Sequence, residues 1–114
     1  MPGQSDPITR EIRKIQRYAV QLPCTFGSDQ GGSEGMVLNL SAQGCAVTAK
    51  QLPSVATHIS LQIDLLNDEV PVDIELAAVR WASGSRCGIE FIKVAPDMLV
   101  KLRAFVLLLD ETPY

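Results

Sequence analysis

With 114 residues, 46% of them apolar and 20% charged, the sequence has the size and balance of one globular domain. No apolar run approaches the roughly 18 residues of a membrane-spanning helix, and the first residues lack the pattern of a signal peptide, so we expect a cytoplasmic protein without direct membrane insertion. The net charge of −3 argues against DNA and RNA as partners.

Residues 1–12 are predicted to form a flexible leader, since prolines, a glycine and polar groups dominate its first part. Ile8, Ile12 and Ile15 recur at helical spacing, which would allow a short amphipathic turn before the first strand. The first 20 residues hold four basic and two acidic groups, whereas the remainder holds six basic and eleven acidic ones. A basic arm on an acidic body favours a compact anionic partner, although a solvated terminus would give the same charge pattern.

The first strand is predicted where four apolar residues alternate with more polar ones: Val20, Leu22, Cys24 and Phe26. Pro23 cannot donate a hydrogen bond to a neighbouring strand, so we expect this strand to lie at an edge or to contain a bulge. The polar, glycine-rich segment 27–35 is predicted to be a hairpin connection.

Two further strands flank a turn at residues 41–43. The earlier one, at about 34–40, alternates so that three apolar side chains are predicted to face inward: Met36, Leu38 and Leu40. The later one, at about 44–49, places Cys45 and Val47 on one side.

Three more strands complete the predicted sheet. The clearest pattern in the chain has four inward positions separated by polar ones: Ile59, Leu61, Ile63 and Leu65. After a tight turn, a strand at about 70–81 turns Asp73 and Glu75 outward and five apolar residues inward: Val70, Val72, Ile74, Leu76 and Ala78. A turn at 83–85 leads to the sixth strand, with inward Cys87, Ile89 and Phe91.

Six short strands joined by turns predict an all-β fold, a six-stranded antiparallel β-barrel, because closure removes the exposed edges of so small a sheet. A C-terminal α-helix is expected to begin near Pro96. Its inner face is predicted from the helical spacing of six residues: Met98, Leu99, Leu102, Phe105, Val106 and Leu109. The opposite side is also apolar, with Val100, Leu107 and Leu108, which suggests that the helix is covered on both sides.

Residues that commonly carry catalysis or metal binding are few and scattered. Cys24, Cys45 and Cys87 are odd in number, lie far apart and fall at apolar strand positions, which indicates reduced core thiols. His58 is the only histidine, and the sequence contains neither a phosphate-binding glycine loop nor a nucleophile elbow. We therefore expect a protein that is not an enzyme and that uses no metal and no cofactor.

Two polar motifs remain for a binding role. Arg13 and Arg17 are four residues apart and project to the same side, where two guanidinium groups can clamp phosphates or pair with guanine O6 and N7. In the later motif, which runs from Asn39 to Gly44, alternation places Asn39 and Ser41 on one face, and Gly44 can adopt a positive φ. Either motif alone is common in proteins.

Together, Arg13-x-x-x-Arg17 and Asn39-x-Ser41-x-x-Gly44 resemble the signature of the PilZ domain family, bacterial receptors for cyclic di-GMP. The resemblance extends through the segments 20–23, 79–81 and 88–91 and the final helix. It implies a PilZ domain over residues 13–110, with a C-terminal tail at 111–114, and a barrel of the kind expected above.

The resemblance also implies a site in which a flexible arm closes over the ligand. Arg13 and Arg17 would bind phosphate and guanine, while Asn39 and Ser41 would bind the other guanine and its phosphate beside Gly44. Many family members have aspartate where this chain has Asn39, and an uncharged amide is expected to hold a guanine N–H edge less strongly than a carboxylate.

Two residues of the leader complete the candidate site. In the family, the residue before the arginine motif influences whether one or two stacked ligand molecules bind. The apolar Ile12 favours one molecule at this position, and Arg10 could add a further cation.

The resulting hypothesis is a cyclic di-GMP receptor or adaptor that changes conformation on ligand binding and regulates an unidentified effector protein. The exposed side of the helix is the candidate contact surface, and a homodimer through the same surface is an equal alternative. The competing hypothesis is a PilZ-fold adaptor that acts by protein contact alone and does not bind nucleotide.

Overall fold

The computed structural model describes residues 17–28, 31–67 and 70–111. Within these ranges the chain forms six strands and one helix: β1 Tyr18–Ser28, β2 Gly31–Leu40, β3 Gly44–Thr48, β4 His58–Ile63, β5 Val72–Ser83, β6 Arg86–Val94 and α1 Pro96–Glu111. The strands close into a barrel in the order β1-β2-β3-β6-β5-β4, and every neighbouring pair is antiparallel. The predicted barrel with a C-terminal helix is therefore confirmed, whereas the predicted leader and its helical turn lie outside the described residues.

Strand β4 shows how the alternating sequence builds the core. Ile59, Leu61 and Ile63 are 2%, 1% and 0% exposed, whereas the intervening Ser60 and Gln62 face solvent. Successive side chains of a strand point to opposite faces, so this alternation decides which face lines the interior. Predicted inward residues of the other strands lie in the same core: Leu22, Cys24, Phe26, Cys45, Val47, Cys87 and Ile89.

The predicted inward face of β2 is confirmed at Leu40 and wrong at Met36 and Leu38, because a β-bulge changes the alternation of this strand. Its register with β3 shifts between Val37 and Asn39, so the fully buried side chains are those of Val37 and Leu40. Met36 is 37% exposed, and Leu38 is only half-buried. An extra residue in one strand of an antiparallel pair produces this change of face.

Strand β5 departs from simple alternation for the same reason. Ile74 is fully buried as predicted, but Val70 precedes the strand and is 68% exposed. The register with β6 shifts at three places, the last of them between Val79 and Trp81. This last bulge leaves Arg80 without a partner in the β5–β6 register and turns Trp81 to the outside of the barrel.

The β1–β2 hairpin is longer than the sequence pattern predicts. The two strands pair as far as Ser28 and Gly31, so most of the segment 27–35 belongs to the sheet and is not a loop. Backbone hydrogen bonds need no side chains, and the glycines therefore do not end the pairing. Pro23 belongs to a strand of a closed barrel and is therefore not at a sheet edge. The barrel tolerates a proline here because the β1–β4 register begins one residue later, at Cys24.

Helix α1 covers one end of the barrel with the face that its spacing predicts. Leu102 is fully buried in the core, and burial of such a side chain contributes about 1.5–3 kcal/mol. The other predicted inner residues are partly buried, and three of them, Met98, Phe105 and Val106, pack against the core. Val94, from the end of β6, packs against it as well. The opposite side is exposed and apolar, with Val100, Leu107 and Leu108 at 68%, 58% and 62% exposure.

The three cysteines are free and buried, as predicted. Burial raises the pKa of Cys24 to about 11, so this thiol stays protonated at neutral pH. Burial also raises the pKa of Cys45 and of Cys87. Protonated thiols in an apolar interior are poor nucleophiles and poor metal ligands.

The indole of Trp81 lies against the outer surface of the barrel at Gly88, its partner in the β5–β6 register. A Cβ atom at position 88 would lie 2.0 Å from Trp81 Nε1 and 2.4 Å from Cε2. The ring therefore occupies the space that any other residue at this position would need. Trp81 nevertheless remains 42% exposed, so part of the indole faces solvent.

The variant Gly88→Ala should displace this indole and lower the free energy of unfolding by about 1–3 kcal/mol, as overpacking does. Because Trp81 is the only tryptophan, its fluorescence emission reports the displacement directly. Gly32→Ala is the matched control, since its nearest contact would be Phe26 O at an ordinary 3.6 Å. Equal urea midpoints and unchanged emission for Gly88→Ala would contradict this packing.

Candidate functional site

The turn between β2 and β3 is held together by the hydroxyl of Ser41. Ser41 Oγ accepts hydrogen bonds from the backbone N–H groups of Gln43 (3.0 Å) and Gly44 (3.1 Å), and it donates to Gly44 O (3.3 Å). The backbone N–H of Ser41 also donates to Gly44 O at 2.9 Å. Ser41 is only 4% exposed, so its hydroxyl first of all satisfies buried backbone groups of its own turn.

Gly44 is needed for a close approach of two strands, not for a positive φ as the sequence suggests. The positive-φ glycine of the described residues is Gly84, in the turn between β5 and β6. A Cβ atom at position 44 would lie 2.4 Å from Ile89 O, well inside van der Waals contact. A side chain at this position would therefore force β3 away from β6.

Arg17 lies next to the same glycine. A Cβ atom at position 44 would lie 3.4 Å from the Nη2 atom of Arg17, so the guanidinium rests over the start of β3. Burial is the main reason that the pKa of the Cys45 thiol is raised, and the positive charge of Arg17 opposes that rise. Arg17 itself is exposed, which leaves its donors accessible to an anion.

The side chain of Asn39 lies at the β2 bulge and makes one hydrogen bond to the backbone. Its Oδ1 atom accepts from the N–H of Ala46 at 3.1 Å. Because the partner is a donor, the atom that faces it must be the amide oxygen. The NH₂ group and the second lone pair of the oxygen are not used by this bond.

Four of the predicted site residues are thus brought together, since Asn39, Ser41 and Gly44 surround one turn and Arg17 lies over it. Arg10, Ile12 and Arg13 lie outside the described residues. Their assignment to the site stays a prediction.

The outer surface of the barrel extends this site in a way that the sequence pattern does not reveal. Strand pairing links Asn39 to Ala46, Ala46 to Gly88, and Gly88 to Trp81. We call these four residues the outer row. Ala46 and Gly88 are small and buried, Gly88 beneath the indole, and the row has an amide at one end and an indole at the other. The β5 bulge that exposes Trp81 has no sequence signature. The one signal in the sequence is that Trp81, the only tryptophan, follows an arginine, which could have marked it as a candidate site residue.

A charged pair lies beside the outer row. Glu90 is the register partner of Gly44 on β6, and its Oε1 atom lies 2.5 Å from Nε of Arg80. The side chains of Arg80 and Glu90 are 57% and 52% exposed. Together with Arg17 they place two cations and one carboxylate next to the turn.

The site is connected to α1 through Tyr18, the residue that follows Arg17. The phenol of Tyr18 donates a 2.6 Å hydrogen bond to Oδ1 of Asp110 near the end of the helix. A hollow beside this bond reaches from the turn to the helix and is lined by Tyr18, Ala42, Arg103, Val106, Leu107 and Asp110. The start of β1, the turn and α1 therefore meet at one place.

Other hollows of the surface offer less to an anionic ligand. The hollow between β1, β2 and the end of β4 is lined by Glu34 and Asp64, among others, with no basic residue. Within the described part of the chain, no three His, Cys, Asp or Glu side chains converge on a possible metal position. The described helix is also too short and too polar to cross a membrane, and the cytoplasmic location stays a prediction.

Comparisons with known proteins agree with this geometry. A sequence model of the PilZ domain matches residues 11–108. A search of curated proteins gave no significant match.

Solved structures with the same fold share little sequence with this chain. The PilZ domain of CeSA from a cellulose-synthesizing bacterium is 18% identical, with a TM-score of 0.65 over 84% of this chain and 99% of that one. The inhibitor of motility MotI/DgrA of Bacillus subtilis is 20% identical, with a TM-score of 0.68, over 89% of this chain but 53% of that one. The PilZ domain of YcgR from Escherichia coli, with c-di-GMP, is 12% identical, with a TM-score of 0.70, over 86% and 91%. At such identities the likeness shows the fold.

We predict that Ser41→Ala destabilises the folded protein, because the N–H groups of Gln43 and Gly44 lose their shared acceptor. The expected loss is about 1–3 kcal/mol of unfolding free energy, measured by urea denaturation. Ser33→Ala is the control, since Ser33 Oγ makes one exposed bond to Gln51 O. If both variants unfold at the same urea concentration, the hydroxyl of Ser41 is not needed to hold the turn.

Proposed function

The chain belongs to the PilZ domain family, and on that premise we propose that it is a receptor for cyclic di-GMP. The observation that carries the proposal is the position of the Arg17 guanidinium over Gly44, beside the turn that follows Asn39. The motif residues that are described therefore lie together on one surface. A solved PilZ domain of the same fold, that of YcgR, is in complex with this ligand.

The chemistry of this surface suits a compact dianion with two purine bases. Arg17, joined by Arg13 from the arm, supplies guanidinium donors for phosphate oxygens and for guanine O6 and N7. The exposed indole of Trp81 offers a flat apolar surface on which a base can stack, a contact worth about 1–3 kcal/mol. Asn39 adds an amide at the other end of the outer row.

We further propose that ligand binding is passed to α1. Arg17 immediately precedes Tyr18, whose hydroxyl is bonded to Asp110 of the helix. Ordering of the arm around a ligand would alter that bond and the position of the helix. The exposed apolar side of α1, with Val100, Leu107 and Leu108, is then the surface that meets an effector protein or a second copy of the chain.

The same apolar surface favours the second candidate function, an adaptor that binds a protein but no nucleotide. Its exposure does not require a ligand. Binding measurements with purified protein separate the two functions.

Isothermal titration calorimetry should detect binding of cyclic di-GMP by the parent protein. Arg17→Gln should weaken it by roughly ten- to a hundredfold, because a charge-assisted hydrogen bond contributes about 1.5–3 kcal/mol. Arg13→Gln should have a similar effect. Arg86→Gln removes the same charge from an exposed position of β6, opposite Thr48 and thus at the other end of β3 from Gly44, and should leave the affinity unchanged.

The parent protein's own behaviour decides between the two functions. No binding at ligand concentrations of roughly tens of micromolar would favour the adaptor that does not bind nucleotide. An affinity that does not fall with rising salt would contradict binding through exposed arginines.

Tyr18→Phe should separate ligand binding from the response of the helix. The variant removes one short hydrogen bond to a carboxylate and leaves Arg17 in place, so ligand affinity should stay within about threefold. Hydrogen exchange of α1 should change on ligand addition in the parent protein and much less in the variant. Asp110→Asn weakens the same bond from the other side and should behave alike; a full helix response in both variants would contradict the proposed path.

A further inference from the structure

The outer side of α1 carries a stripe of apolar side chains that face solvent. Val100 and Leu107 are both more than half exposed, and Ala104 between them is exposed as well. These three residues, which we call the α1 stripe, are four and three residues apart and therefore lie in one line along the helix. Contiguous apolar surface of this kind indicates a contact site.

The sequence ahead of the barrel contains a second apolar stripe with the same spacing. Ile8, Ile12 and Ile15 are also four and three residues apart. On a helix they would share one side, and the opposite side would carry three arginines: Arg10, Arg13 and Arg17. A helix this short is marginal in water by itself, because isolated helices of fewer than about 12–15 residues rarely persist, so it needs an apolar surface on which to fold. Residues 8–15, which we call the isoleucine segment, lie outside the described residues.

The hydrogen bond between Tyr18 and Asp110 fixes the place from which this segment extends. The bond is 2.6 Å long, so the chain enters β1 beside the last turn of α1. Tyr18 follows Ile15 by three residues, just as Asp110 follows Leu107 by three. The isoleucine segment therefore begins its path next to the end of the α1 stripe.

The separation of the two bonded residues also relates the two stripes. Tyr18 and Asp110 are 92 residues apart. The same separation matches each isoleucine to one member of the α1 stripe: Ile8 to Val100, Ile12 to Ala104 and Ile15 to Leu107. Two parallel helices keep a constant separation along their length, because both rise 1.5 Å per residue.

Side-chain size and charge agree with this register. The small Ala104 would lie opposite Ile12, which gives the larger side chain a hole to fill. The same separation brings Glu11 beside Arg103, an exposed cation of α1. We propose that the isoleucine segment forms a helix that packs parallel to α1 and covers the α1 stripe.

The short tether favours this occupant over a second copy of the chain. Only two residues separate Ile15 from Tyr18, which is itself bonded to α1, so the segment is present at an effective concentration on the order of millimolar. A second copy at micromolar concentration would have to bind roughly a thousandfold more tightly to displace it. An effector that uses this surface must therefore compete with the isoleucine segment.

Cross-linking of the intact chain tests the register. In the double variant Ile12→Cys/Ala104→Cys the two thiols should face each other, and oxidised glutathione should join them within one chain, because a disulfide needs Cα atoms about 4.4–6.8 Å apart. Ile8→Cys/Leu107→Cys is the matched control, since it uses the same two stripes but is two turns, or about 10 Å, out of register. The three native thiols are buried and should not compete. Mass spectrometry locates the bond.

Hydrogen exchange tests the same contact without a cross-link. Backbone amides of residues 8–16 should exchange at least about tenfold more slowly in the parent protein than in Leu107→Lys, which places a charge within the α1 stripe. Leu107 is exposed, so this substitution should leave the barrel intact. Val55→Lys changes an apolar residue of similar exposure in the loop between β3 and β4 and should leave the exchange rates unchanged.

The expected result is a disulfide within one chain for the in-register variant and little for the control. A disulfide between two chains would assign the α1 stripe to a second copy and overturn the inference. Equal cross-linking of both double variants, or amides of residues 8–16 that exchange in the parent protein as fast as in an unfolded peptide, would also overturn it. None of these measurements uses a nucleotide, so their outcome is independent of the proposed function.

Discussion

The close approach of β3 and β6 at Gly44 is the constraint on which the candidate site depends. A Cβ atom there would lie 2.4 Å from Ile89 O, so only glycine allows β3 to pair with β6 from its first residue. The missing side chain also leaves room for the guanidinium of Arg17, and the register sets Glu90 opposite. One backbone contact thus positions a turn, a cation and a carboxylate, none of which is close to the others in sequence.

The polar side chains of the motif from Asn39 to Gly44 form hydrogen bonds that stabilise the fold itself. The hydroxyl of Ser41 accepts hydrogen bonds from two backbone N–H groups, and the amide oxygen of Asn39 accepts one from a third at the β2 bulge. Unpaired buried donors would cost about 1–3 kcal/mol each, so these bonds are not available for exchange with a ligand. The groups of this motif that the fold leaves unused are the Asn39 NH₂ and the second lone pair of its oxygen.

Alternation and helical spacing were sufficient to predict the barrel, the buried face of β4 and the two apolar sides of α1. They failed where a bulge adds a residue, at Leu38 in β2 and at Leu76 in β5, both only half-buried, because bulges arise from backbone pairing and leave no period in the sequence. The site was predictable only in part for the same reason. The family resemblance named Arg17 and Gly44 as site residues, but the positions of Trp81 and Glu90 near them follow from a bulge and from a register across three strands.

A closed barrel also limits where a bound ligand can have an effect. Each strand is bonded to two neighbours, so moving one would break several backbone hydrogen bonds at once. The helix is different, because side-chain contacts hold it: Leu102 in the core, Lys101 Nζ on Val70 O at 2.7 Å, and Asp110 on Tyr18. A shift of α1 therefore costs far less than a change in the barrel, and it would move the exposed apolar surface of Val100, Leu107 and Leu108. A ligand-dependent switch then requires only that a partner bind this surface more tightly in one of the two positions of α1 than in the other.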